Sequence, residues 1–92
     1  MATLSDQEID ERLAEVEWER EDDQIARELK FADFAEAMAF ANRVAEVAEE
    51  LNHHPDILVH GWNRVRLSVT THSEGGLTAG DFELARRVDA LA

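Results

Sequence analysis

The chain contains no cysteine, a single proline and four glycines in 92 residues, and its nine Lys and Arg are outnumbered by 21 Asp and Glu. Without cysteine there is no disulfide scaffold, no thiol nucleophile and no zinc–thiolate site. A formal charge of −12 repels nucleic-acid phosphates and anionic lipid headgroups, so neither nucleic acid nor membrane is an expected partner. No apolar run approaches the roughly 18–20 residues that a membrane span needs. The first residues, Met1-Ala2-Thr3-Leu4-Ser5-Asp6, lack the basic and apolar regions of a secretory signal, which predicts a soluble, cytoplasmic protein. Gly-x-Ser-x-Gly is also missing, so nucleophilic catalysis has no obvious carrier.

What is present is unevenly distributed. Residues 1–28 hold eleven acidic side chains against three arginines, a net −8, which leaves −4 for the remaining 64 residues. A chain of this length makes one domain, here 1–92. It buries roughly 60–70% of its unfolded surface, so self-association would add useful apolar burial.

Periodicity orders the elements. Ser5 and Glu8 form a capping-box pattern ahead of Ile9, Leu13 and Val16, which predicts a helix over residues 5–15. Trp18–Glu21 and Gln24–Phe31 read as two strands around an acidic turn, with Arg27 the one mismatch on the face of Ile25, Leu29 and Phe31. Asp33 opens a helix reaching Leu51 without Gly or Pro. Its apolar face is wide: Phe34, Met38, Ala41, Ala45 and Ala48 form one stripe, and Phe40, Val44, Val47 and Leu51 a second. Such a helix packs on a sheet and touches something else besides. Short Ile57–Val59 and alternating Arg64–Thr71 supply two more strands, and Thr78 caps a final helix carrying Leu84, Ala85, Val88 and Leu91. The order α-β-β-α-β-β-α predicts an α+β fold, a four-stranded antiparallel sheet with helices packed on one side.

Three of the four histidines, His53, His54 and His72, fall within twenty residues, next to Pro55 or the Gly75-Gly76 pair. Imidazole titrates near neutrality, so such a cluster can both give and take protons. A residue before proline is extended, so the His53 and His54 rings should diverge at the helix end. Each position also has a plain reading. His53 and His54 could serve as helix-end residues, and His72 could be a solvated strand-end side chain. Asp81, three residues after Thr78, fits a capping box. Trp62 could stack on an aromatic ligand or fill the core, and His60 is expected on the solvated face opposite Ile57 and Val59. Three histidines could hold zinc, but adjacent ones on an extended backbone rarely chelate one ion, and H-E-x-x-H is absent. A histidine metal site is therefore the minor reading.

The spacing Glu49, three residues, His53-His54-Pro55, six residues, Trp62, nine residues, His72, eight residues, Asp81 sets seven positions over 33 residues. This pattern resembles the pterin-4a-carbinolamine dehydratases, known in animals as the dimerization cofactor of hepatocyte nuclear factor. The run Gly76-Leu77-Thr78-x-x-Asp81 and the pair Thr71-His72 share the resemblance, while residues 1–33 do so only loosely. The resemblance implies a dehydratase that removes water from 4a-hydroxytetrahydropterin without a metal or an organic cofactor, giving quinonoid dihydropterin in tetrahydropterin recycling, with a homodimer or homotetramer as its assembly. It implies that His53, His54 and His72 line the pterin pocket as acid/base groups, with His53 and His72 the principal pair. Asn52, Thr71 and Ser73 would then meet the pterin edge, and Glu49, Pro55, Trp62 and Asp81 remain motif positions with structural duty. Relatives that act as dimerisation or assembly modules on the same fold supply the rival reading. The three retained histidines favour the enzyme.

Overall fold

The computed structural model describes residues 2–92. Ser5 caps helix α1 (Asp6–Leu13) reciprocally: its hydroxyl accepts from Glu8 N at 3.2 Å and the Glu8 carboxylate accepts from Ser5 N at 3.0 Å. The helix is shorter than the 5–15 expected, because Glu15 and Val16 bond back to Arg12 and Leu13, three residues earlier, and tighten the exit. That turn sends Trp18 into the core, just ahead of strand β1 (Glu19–Glu21), instead of starting the strand as the alternation suggested. Asp22-Asp23 turns the chain into β2 (Gln24–Lys30).

Asp33 caps α2 (Phe34–Leu51) with its carboxylate on Glu36 N at 2.8 Å. Two further strands, β3 (Asp56–His60) and β4 (Arg64–Val69), form a hairpin, and a 3₁₀ turn over His72–Glu74 leads to α3 (Ala79–Asp89). The sheet order is β1-β2-β4-β3, antiparallel throughout, as the element order predicts. Ile25, Val65, Leu67 and Val69 face the helices and meet Phe40, Val44, Phe82, Ala85 and Val88 in one buried cluster. Among the described residues no helix is long and apolar enough to cross a membrane.

The mismatch at Arg27 has a partner. Asp89, on the last turn of α3, accepts from Arg27 Nη1 at 2.6 Å and Trp18 Nε1 at 2.8 Å through one oxygen, and from Glu17 N at 2.9 Å through the other. One half-buried carboxylate thus fastens the C-terminal helix to β2 and to the entry of β1. Asp89→Ala orphans three donors at once and is expected to lower stability by about 2–3 kcal/mol. A urea titration by far-ultraviolet circular dichroism reads that loss as a lower midpoint at unchanged slope.

The opposite sheet face carries charge. Arg66 pairs with Glu21 at 2.6 Å, and His60 with Glu28 at 2.7 Å. His60 is therefore half-buried and paired, not simply solvated as expected. Its hydrogen bond is the main cause that holds the Glu28 carboxyl below the ordinary carboxylate range. At the β3–β4 tip Gly61 has φ +55° and Trp62 φ +59°, a conformation costly for a bulky side chain. Buried Asn63 holds the tip: its Nδ2 donates to Phe31 O at 2.9 Å, and its own carbonyl accepts from Phe31 N at 2.8 Å. Trp62 itself is 63% exposed, so it does not fill the core. On α2 the stripe with Phe40, Val44 and Val47 is buried, whereas Phe34 is 54% exposed and Met38 is also open.

Candidate active site

The site grows from the end of α2. Asn52 takes a left-handed conformation (φ 50°, ψ 43°) as the C-cap, and His53 N donates to Ala48 O at 3.0 Å. Pro55 denies a further helical turn, and β3 starts at once. This short exit sends the two adjacent rings to different carboxylates. His53 Nε2 lies 2.6 Å from Asp81 Oδ1, and His54 Nε2 lies 2.5 Å from Glu49 Oε2.

The two pairs differ in setting. The His53 ring is 16% exposed and the Asp81 side chain 0%. Asp81 sits at the third position of α3, and its Oδ2 accepts from Thr78 N at 2.8 Å in the capping box with Thr78. The same oxygen accepts from Thr71 Oγ1 at 2.8 Å. The capping role expected of Asp81 is thus present, and the carboxylate also reaches a histidine 28 residues away in sequence. By contrast His54 and Glu49 are both exposed, so water competes for their contact and it is freely remade.

His72 stands on the 3₁₀ turn after β4, also exposed. The turn is closed at its base by a bridge between Thr71 and Gly76, and the Thr71 carbonyl accepts from Glu74 N and Gly75 N, both at 3.1 Å. Gly75, at φ +75°, supplies the left-handed residue that this tight closure needs. His72 and His54 border one small hollow, of about 20 Å³, with Asp56, Ser68 and Thr70. His53 and Asn52 border a larger open one of ≈ 390 Å³ on the helix side, with Arg12, Gly80 and Arg86.

His53 and His72, the principal pair suggested by the sequence, therefore open toward different hollows, while His54 and His72 share one. What joins His53 to His72 is the Asp81–Thr71 bond, since Thr71 precedes His72 in the chain. Asn52 and Ser73 are exposed near the histidines, whereas the Thr71 hydroxyl is turned toward Asp81 and Thr78. Trp62 is not brought to the site. It lies past the His60–Arg64 pair, four residues along the hairpin from Asp56–Ser68, or roughly 13 Å at strand rise. Sequence reasoning missed the two histidine–carboxylate pairings and the arginines Arg12 and Arg86. Among the described residues no group of three His, Asp or Glu converges to hold a metal ion.

An imidazole held by a buried carboxylate beside an open hollow, with two more histidines close by in the chain, suits proton transfer to and from a bound ligand. Comparison with known proteins gives this geometry a family. The family model described as pterin 4 alpha carbinolamine dehydratase matches residues 2–91. A protein of Thermomicrobium roseum, provisionally named a pterin-4-alpha-carbinolamine dehydratase, is 52% identical over 93 residues, covering 100% of this chain and 99% of its own. The crystal structure of a transcriptional coactivator/pterin dehydratase from Brucella melitensis superposes with a TM-score of 0.91 at 38% identity, covering 98% of each chain. A pterin dehydratase-like protein identified as a RuBisCO assembly factor in the alpha-carboxysome matches with a TM-score of 0.64 at 26% identity, covering 84% of this chain and 88% of its own. With its full-length family match, its close relatives and its shared fold, the chain belongs to the pterin-4-alpha-carbinolamine dehydratase family.

Proposed function

We propose that the protein dehydrates 4a-hydroxytetrahydropterin to quinonoid dihydropterin by histidine acid/base catalysis. The observation that carries the reading is the buried Asp81 carboxylate, which fixes His53 and, through Thr71, the base of the turn that presents His72. The reaction breaks the C4a–O bond and removes a proton from the neighbouring ring nitrogen. One group must therefore protonate the departing hydroxyl and another must accept the N–H proton. With its Nε2 proton donated to Asp81, His53 offers Nδ1 as the base. In this reading the pterin spans the ridge between the two hollows, with His72 the acid at the hydroxyl and His54 its support. Asn52 and Ser73 meet the polar pterin edge, while the Thr71 hydroxyl is engaged by Asp81 and Thr78. The test is loss of enzymatically generated 4a-hydroxytetrahydropterin, followed by ultraviolet absorbance against its spontaneous dehydration. Acceleration supports the reading, and a folded protein no faster than the spontaneous rate overturns it.

A second reading, an association or assembly role, is favoured by a different observation. Phe34, Met38, Ile57, Leu58 and Trp62 are all exposed, apolar surface that association with a partner would cover. The assembly-factor relative shows that this fold can be used in that way. The same side chains suit a homodimer or homotetramer, and this role is compatible with the enzyme. Sedimentation velocity is expected to give a dimer or tetramer, and the double substitution Phe34→Asp, Met38→Asp to shift it to a smaller species.

A further inference from the structure

The Thr71 hydroxyl occupies a position in the hydrogen-bond network that no substrate contact accounts for. It donates to Asp81 Oδ2 at 2.8 Å and lies 2.8 Å from Thr78 Oγ1. A threonine has one hydroxyl proton. Because that of Thr71 goes to the carboxylate, the proton between the two hydroxyls is the one on Thr78. The donors thus run in one direction, Thr78 to Thr71 to Asp81 Oδ2, while Asp81 Oδ1 is left for His53 Nε2 at 2.6 Å. With Thr78 N also on Oδ2, the carboxylate has two holds on its far oxygen and cannot turn without breaking both.

We infer that Thr71 is a positioning residue: a carboxylate only accepts, so Asp81 Oδ1 draws the His53 proton to Nε2 and leaves Nδ1 free for proton transfer, and the Thr71 hydroxyl keeps that oxygen on the ring. This deepens the dehydratase reading and rests on it for the catalytic consequence, though not for the tautomer itself. Thr71 also acts through its backbone, since its carbonyl ties down the turn bearing His72. Valine at this position keeps the branched shape and the backbone bonds and removes only the hydroxyl, so the two contributions separate. The other charged groups bordering the hollow beside His53 are Arg12, Glu83 and Arg86, and none of them is altered by the substitution.

Thr71→Val and Thr71→Ala, with Thr71→Ser as the conservative control, test the assignment on the intact chain. Nitrogen-15 spectra of the imidazoles, with the His53 signals assigned by their loss in His53→Gln, should show the Nε2–H form in the wild type. They should show a mixture of both tautomers in Thr71→Val and Thr71→Ala, and recovery in Thr71→Ser. In the pterin assay the valine and alanine variants should lose about tenfold in kcat, the effect of one missing hydrogen bond, with KM changed less than about twofold. A rise in KM at unchanged kcat would make Thr71 a substrate contact and overturn the inference. So would a His53 tautomer identical in all the proteins, or a serine variant that behaves as valine does. If the wild type shows no dehydratase activity, the tautomer spectra alone decide. Tautomer mixing in the valine and alanine variants then upholds the lock while the dehydratase reading falls.

Discussion

Alanine at His53 or at His72 is expected to remove most of the acceleration of 4a-hydroxytetrahydropterin dehydration, lowering kcat/KM by about 10²–10⁴-fold in each case. The size follows from the chemistry. Each step moves a proton that water at neutral pH moves poorly, and each histidine has its own position. His53 is held by a buried carboxylate, and His72 sits on a turn closed by the Thr71–Gly76 bridge. His54 should matter less, by about tenfold, since both it and its partner Glu49 are exposed and water can replace either. The assay is absorbance decay with the spontaneous rate subtracted, and circular dichroism confirms that each variant is folded. Near-wild-type rates in both His53→Ala and His72→Ala would remove these two residues from the chemistry. Loss in one alone would leave a single acid/base group serving both steps.

Much of the architecture was legible in the chain because its periodicities are unambiguous. The Asp33 cap and the Gly- and Pro-free run to Leu51 define α2, and the alternation from Arg64 defines β4. The capping boxes at Ser5 and Thr78 were readable for the same reason, since they depend on residues three apart. Local pattern does not reveal where a polar side chain finds a distant partner. Arg27 looked like an error in an apolar face until Asp89, 62 residues on, met it. Asp81 looked finished as a helix cap, yet a carboxylate has two oxygens, and the second one reaches His53. Trp62 looked like core because tryptophan usually is, and no local rule foretells a tryptophan at positive φ on a hairpin tip.

The histidine pair shows a related limit. The sequence predicted that the His53 and His54 rings diverge, and the two do reach different carboxylates. Glu49 is one turn before His53 and would be its natural helical neighbour. It bonds His54 instead, because Asn52 leaves the helix in the left-handed conformation and rotates everything after it. Which ring meets which carboxylate therefore depends on one backbone angle that the sequence pattern does not contain. The rival assembly role is a separate matter, because it concerns the exposed apolar side chains and not these rings.

Asp81→Asn is expected to abolish most activity while leaving the fold largely intact, and Asp81→Ala to lose both. Asparagine keeps the volume but offers one acceptor oxygen and one amide donor. Thr78 N and the Thr71 hydroxyl both point donors at Oδ2, so the amide oxygen must turn to them and the NH₂ group must face His53. A donor there forces His53 Nε2 to accept, which moves the ring proton to Nδ1, the nitrogen assigned to take the pterin proton. The base is then blocked without any change of shape, and kcat should fall about 10²–10⁴-fold, as expected when a general base holds the wrong tautomer. The stability cost should be only about 1–2 kcal/mol, because the two capping donors stay satisfied. Alanine at a fully buried site instead strands Thr78 N, the Thr71 hydroxyl and the His53 ring together, and should cost about 3–4 kcal/mol. Urea midpoints and pterin kinetics on the two variants separate the roles. An asparagine variant as active as the wild type would mean that Asp81 serves the helix alone and that the proton on His53 is set elsewhere.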